Sequence, residues 1–253
     1  MRSFFLGAIA LVVGTAVAVA NEPISITLTA EDGFELAASR WQGEPGAGGV
    51  LLLHQCNSTR AMYDDLGTDL SDRGFHVLSL DFRGFGDSTT EEVSASYIRQ
   101  TATSRENYFE RFNLIQAHWP SDVNLALSHF REISNVATSD IVLVGASCGG
   151  NSVLGLVANL EPFAGAVLFS ALITPDGEAT IEAHPELPIL MIGAEEDASA
   201  DVMTTYPRVF ANAPNPETTL VFYKGGLHGE ALFEPHPTLR PLMVDWIAAH
   251  LAD

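Results

Sequence analysis

The sequence predicts an α/β fold: a mostly parallel, eight-stranded sheet with helices packed on both faces. Two observations lead there. From Gly49 onward, short apolar runs alternate with longer segments of helical period, the order expected when strands are joined by crossover helices. Those runs are apolar throughout instead of at every second position, which suits strands covered on both faces. The 253 residues are 47% hydrophobic and 17% charged, enough for one substantial core and too few for two large domains.

The first segment, MRSFFLGAIALVVGTAVAVA, has a positive start at Arg2, an apolar stretch from Phe4 to Val13 and the small residues Ala18-Val19-Ala20. This is the layout of an export signal cleaved after Ala20, leaving residues 21–253 as one periplasmic or secreted domain. Ile24 to Leu28 and Phe34 to Trp41 read as strands joined through Glu31-Asp32-Gly33, a hairpin. The further strands are Val50 to Leu53, His76 to Leu80, Ile141 to Val144, Ala164 to Phe169, Ile189 to Ile192 and Thr219 to Tyr223.

Between them, Met62, Leu66 and Leu70 mark one face of a helix that Gly74 closes. Val123, Leu127 and Phe130 mark another, behind Pro120 and a Ser121 cap. The last helix runs from about Pro237 to Leu251, with Leu239, Leu242, Met243, Trp246 and Ile247 facing the core. Thr89 to Trp119 is long and irregular, reading first as a packed helical excursion and second as a flap over a site.

Acidic residues outnumber basic ones 32 to 12, a formal net charge of −20 that repels nucleic-acid phosphate and anionic lipid. Neither is an expected partner. No segment after the first approaches the roughly 20 apolar residues of a membrane helix, so the mature chain is not expected to be membrane-embedded. No clustered Cys/His or carboxylate spacing suggests a metal site, and no organic cofactor is implied.

The chemistry sits at three strand ends. Gly145-Ala146-Ser147-Cys148-Gly149 follows an apolar strand and precedes a helix containing Val153, Leu154 and Val157. Small residues in that pattern allow a sharp strand-to-helix turn that lifts the serine hydroxyl above the sheet, where the helix's free amides face developing negative charge. A serine needs a base, and His228 lies on the Gly225-Gly226-Leu227 loop after the last apolar run. The imidazole needs a carboxylate to hold its tautomer. Asp197 leads for that role, with neighbouring Glu196 in reserve.

These motifs, in the order Ser, Asp, His, together with Leu51-Leu52-Leu53-His54 and Asp81-Phe82-Arg83-Gly84-Phe85-Gly86-Asp87-Ser88, resemble the α/β-hydrolase superfamily over nearly the whole mature chain. The short interval from Ala171 to Pro188 leaves little room for a large cap domain, as in small esterases and dienelactone-hydrolase-like proteins. The resemblance implies an oxyanion hole made by the backbone amides of Cys148 and Cys56, with Gln55 the alternative for the second donor. Gln55 itself departs from the glycine usual after His54. His54 is expected to orient its loop, and Arg83 to hold the segment around it. Cys56 and Cys148 would both flank this pocket, either as a disulfide or as two buried thiols. The implied activity is hydrolysis of a small-molecule ester through a serine-linked acyl intermediate; thioesters, lactones, peptides and a non-catalytic carrier role are the alternatives.

Overall fold

The computed structural model describes residues 22–160, 162–197 and 199–251; the segment 1–20, read as an export signal, lies outside the described residues. One sheet contains β1 (Ile24–Thr29), β2 (Glu35–Trp41), β3 (Gly49–Leu53), β4 (His76–Leu80), β5 (Ile141–Ala146), β6 (Gly165–Phe169), β7 (Ile189–Ala194) and β8 (Thr219–Tyr223). The strand order is β1-β2-β4-β3-β5-β6-β7-β8. β1 and β2 pair antiparallel, as do β2 and β4, and the remaining pairings are parallel. The expected mostly parallel sheet of eight strands is therefore present.

Successive strand residues point to opposite faces, and both faces are buried. Leu51, Leu53, Leu78, Leu143 and Met191 join one core layer, while Val50, Leu52, Val77, Val142 and Leu190 join the other. Fully burying each such side chain stabilises the fold by about 1.5–3 kcal/mol. On the second face lie α1 (Asp64–Asp72), through Leu66 and Leu70, and α8 (Leu239–Leu251), through Leu239, Met243 and Ile247. On the first lie α4 (Trp119–Ser134), α5 (Cys148–Asn159), α6 (Pro175–Ala183) and α7 (Ala200–Asn212), contributing Phe130, Val153, Ile181 and Tyr206 among others.

Three local readings are sharpened or corrected. Residues 89–119 are not irregular: they contain α2 (Ala95–Thr101) and α3 (Arg105–Gln116), capped by the Ser94 and Ser104 hydroxyls, which accept from the amides of Tyr97 and Asn107. Ile98, Phe112 and Ile115 are buried, so this stretch is a packed excursion. Second, α4 starts before Ser121, with Trp119 as its first residue, His118 as N-cap and Pro120 in the first turn, where a missing amide hydrogen costs nothing. Ser121 Oγ instead donates to His118 O at 2.7 Å. Third, α8 begins at Leu239, two residues later than Pro237.

Candidate active site

Ser147 stands between β5 and α5 with φ 50° and ψ −114°, left-handed backbone that a residue with a side chain adopts at a cost of about 1–3 kcal/mol. The surroundings enforce it. Ser147 N–H donates to Phe169 O at 2.9 Å, fastening the turn to the end of β6. A Cβ at Gly145 would come within 2.4 Å of Gly149 O, and one at Gly149 within 2.2 Å of Leu53 O. The flanking glycines are thus dictated by backbone packed on backbone. The result is a half-buried serine at the N-terminus of a helix, where the dipole and unbonded amides favour negative charge.

Asp197 lies beyond β7 and His228 beyond β8, at the same C-terminal edge of the sheet as Ser147. The His228 Nδ1 is 2.8 Å from Asp197 Oδ1 and 3.1 Å from Oδ2. An ionised carboxylate only accepts, so the proton sits on Nδ1 and the Nε2 lone pair is left for another donor. The Asp197 side chain has 0% exposure while that of His228 retains 26%, so a buried carboxylate holds a partly open imidazole. Asp197 Oδ1 also accepts from Ser199 N–H at 2.8 Å. Glu196, the reserve, is exposed, and its amide donates to Gly225 O at 2.9 Å. Among the described residues no hydrogen bond joins the Ser147 hydroxyl to the imidazole in this conformation.

Residues that the motifs did not single out tie the histidine loop down. Gly229 N–H donates to Ser170 Oγ at 3.0 Å, and Glu230 N–H to Gln55 Oε1 at 2.9 Å. Ser58 Oγ closes the set on Glu230 Oε2 at 2.6 Å. The His228 loop is therefore bonded both to the end of β6, which also holds Ser147, and to the loop after β3. A buried serine directly after an apolar run, as in Phe169-Ser170, was the available signal for the first link; the Gln55 contact spans 175 positions and had none.

Cys56 and Cys148 form a disulfide with a Cα–Cα distance of 5.7 Å. Of the two arrangements open to them, the structure has the bridge. It joins the loop after β3 to the first residue of α5. Among the described residues the amides of Gln55, Cys56 and Cys148 have no hydrogen-bond partner.

His54 supports that loop from beneath. Its Nε2 accepts from Phe82 N–H at 3.0 Å, so the proton is on Nδ1, which donates to Gln55 O at 2.7 Å. Complete burial lowers its pKa from 6.5 to about 4, keeping it neutral. It orients the loop as expected. Asp81, also buried, accepts the amides of Arg60 and Asp87 and pairs with the Arg60 guanidinium. Arg83 pairs with Asp122 at 2.9 Å and reaches Asp32, holding its segment to α4 and the first hairpin.

Two cavities flank this centre. One of about 740 Å³ is bordered by Gln55, Asn57, Glu230 and Phe233 and by acidic residues of α1. The other, about 450 Å³, is a groove between α4 and α5 that starts at Cys148 and passes Asn151, Gly155 and Asn159. Trp119, Val123 and Leu156 give it an apolar wall, Gln116 and Asn124 polar edges, and its lining has no charged side chain. Only the end of α3 reaches it, which limits any flap role of residues 89–119. Among the described residues no group of three or more His, Cys, Asp or Glu side chains could hold a metal ion, and no helix is long and apolar enough to cross a membrane.

Several solved structures are similar to this chain. A Thermus thermophilus protein, TT1662, aligns at TM-score 0.67 and 16% identity, covering 92% of this chain and 99% of its own. The Pyrococcus furiosus esterase Pf2001 aligns at TM-score 0.63 and 15% identity, covering 95% and 98%. A cold-adapted esterase from an Arctic intertidal metagenomic library gives 0.66 and 17%, covering 90% and 93%. At such identities these likenesses speak to the fold. No curated protein matches the sequence. The family model for hydrolases described as serine aminopeptidase, S33, matches residues 45–185, more than half of the chain. With the Ser147 turn, the sheet order and that match together, the chain belongs to the serine aminopeptidase S33 family and is a hydrolase of the α/β-hydrolase superfamily.

Proposed function

We propose that this protein hydrolyses small-molecule carboxylic esters through a Ser147-His228-Asp197 triad. The observation that carries the reading is the His228–Asp197 pair, 2.8 Å apart, at the same strand-end rim as the strained Ser147 turn. Ser147 Oγ attacks the ester carbonyl carbon while His228 Nε2 takes its proton; Asp197 stabilises the imidazolium. The carbonyl oxygen becomes an oxyanion received by the amides of Cys148 and of Cys56 or Gln55. Collapse expels the alcohol with the proton from His228, leaving an acyl-serine. Water, deprotonated by the same imidazole, then releases the acid. The missing Ser147–His228 hydrogen bond is compatible with this scheme, because such contacts often tighten only when substrate is bound.

The groove beside Cys148 receives the uncharged acyl part of the ester. The formal charge of −20 disfavours nucleic acid as a ligand. Export of the mature chain from Asn21 onward fits a disulfide that persists in an oxidising compartment; N-terminal sequencing of the secreted or periplasmic product checks it.

A fluorophosphonate probe and a panel of nitrophenyl esters test the activity. Labelling and turnover by the wild type, both lost in Ser147→Ala, are the expected results. A folded wild type that neither labels nor turns over esters supports a non-catalytic carrier. Labelling with turnover of amide substrates alone would move the reading to a peptidase.

A further inference from the structure

We infer that the Cys56–Cys148 disulfide is a positioning element of the oxyanion hole, a covalent clamp between its two donor loops. This rests on the serine-hydrolase reading above and adds to it the device that fixes the hole's geometry.

The two donors come from different parts of the chain, 92 positions apart. Cys148 N–H is fixed by α5, whose first turn lies against the end of β3 so closely that Gly149 admits no side chain. The other donor is on the stretch just past β3, where no ladder bond engages the amides of Gln55 or Cys56 among the described residues. An unpaired amide has nothing of its own to set its direction. His54 fixes the start of that stretch through Phe82, and Gln55 is held through its side chain. The disulfide fixes Cys56 directly to the residue carrying the opposite donor, with their Cα atoms at 5.7 Å. Both donors must point at an oxygen that exists only transiently, so a shift of either by about an ångström weakens transition-state stabilisation more than substrate binding.

A disulfide could also serve stability alone, by constraining the unfolded chain. The two roles separate in kinetics. A positioning role moves kcat at nearly constant KM, whereas a purely stabilising role moves only the unfolding transition. Both cysteines are half-buried, so a small phosphine can reach the bridge; it yields two thiols and a phosphine oxide, with water supplying the oxygen and the protons.

The experiment compares oxidised wild type, phosphine-reduced wild type and Cys56→Ser/Cys148→Ser with a nitrophenyl ester at 25 °C. Active sites are titrated with the fluorophosphonate, and thiols are counted to verify reduction. The expected result is a kcat per active site lower by about 10- to 100-fold, a KM within about twofold and an unchanged pH profile. Affinity for an aryl trifluoromethyl ketone, which forms an oxyanion adduct on the serine, should fall in parallel with kcat/KM. Unchanged kcat in the reduced, folded protein, with only a lower Tm, overturns the clamp and leaves the hydrolase reading intact. If the double variant does not fold, the reduced wild type, verified by circular dichroism, decides the matter. An oxidised wild type that neither turns over ester nor takes up the probe overturns the hydrolase reading and the clamp with it.

Discussion

Asp197 places a fully buried carboxylate 2.8 Å from Nδ1 of His228, a residue 31 positions later on the neighbouring strand's loop. Burial excludes water as a competing partner, so the imidazole ring has one favoured orientation and one favoured tautomer. Asp197→Asn offers an amide that can donate to Nδ1, which would shift the ring proton to Nε2 and remove the base. The expected loss in kcat is on the order of 10⁴-fold, as when the acid of a triad is neutralised. Glu196→Gln, at an exposed position off the imidazole, should stay within about twofold. Steady-state kinetics on both variants check this; equal losses would mean that the wrong carboxylate has been paired with the base.

Gly229 couples the His228 loop to Gln55. Its φ of +55° favours glycine, and a Cβ there would lie 1.9 Å from Gln55 Oε1. Gly229→Ala should therefore displace the neighbouring His228 and the Gln55 side chain together, lowering kcat/KM by about 10- to 100-fold through misplacement. Adding Gln55→Ala removes the obstructing oxygen, and the double variant should recover part of that loss. Such non-additivity is the signature of a shared contact. Strictly additive losses would show that the strained backbone acts alone.

Much of this architecture could be read from residue order because the physics is local. Runs such as Val50 to Leu53 sit between two helical layers, and burial on both faces makes them apolar throughout. The Ser147 turn was legible for a similar reason: each small residue answers a close approach within a few positions. By contrast α7 was missed, since Pro207 interrupts its pattern and the chain before it is a cluster of acids. For residues 89–119 a packed helical excursion was legible but the bounds of α2 and α3 were not, because only Ile98, Phe112 and a few neighbours face inward, too sparse for a helical period. The Cys56–Cys148 pairing and the Gln55–Glu230 bond depend on how distant loops dock, which spacing does not encode.

His54 makes stability pH-dependent in a definite sense. Its pKa falls from 6.5 to about 4 on folding because burial penalises the imidazolium, so the unfolded chain binds more protons between those values. The contribution of His54 to stability then rises with pH across that window, by on the order of 3 kcal/mol in total, and is opposed by Asp122 and Asp64, whose carboxyl pKa values burial raises. His76, shifted down mainly by burial, acts in the same direction as His54. The carboxylates whose pKa values are lowered, such as Asp32, exert their effect below the usual carboxylate pKa, beneath most of this window. His54→Gln should flatten the dependence of the urea midpoint on pH between about 4.5 and 6.5 while lowering stability at pH 7. An unaltered slope would show that another group carries the acid sensitivity.

Gly155 offers a way to ask what the α4–α5 groove receives. It lies on the exposed face of α5 and lines the groove, and a Cβ built on it meets nothing within 4 Å. Gly155→Ala should accordingly stabilise the protein by about 0.5–1 kcal/mol, by relieving the helix of glycine's conformational entropy, without touching turnover. Gly155→Trp keeps the same Cβ but drives an indole into a cavity of about 450 Å³. If the groove holds the acyl chain, kcat/KM for an octanoyl ester should fall at least tenfold relative to acetyl, mostly through KM, because contacts remote from the carbonyl are made in substrate and transition state alike. Acetyl turnover should hardly change, since Gly155 lies about two turns of helix beyond Cys148. A tryptophan variant that treats both esters alike would remove the groove from the acyl path and leave the cavity beside Gln55 and Glu230 as the place to look.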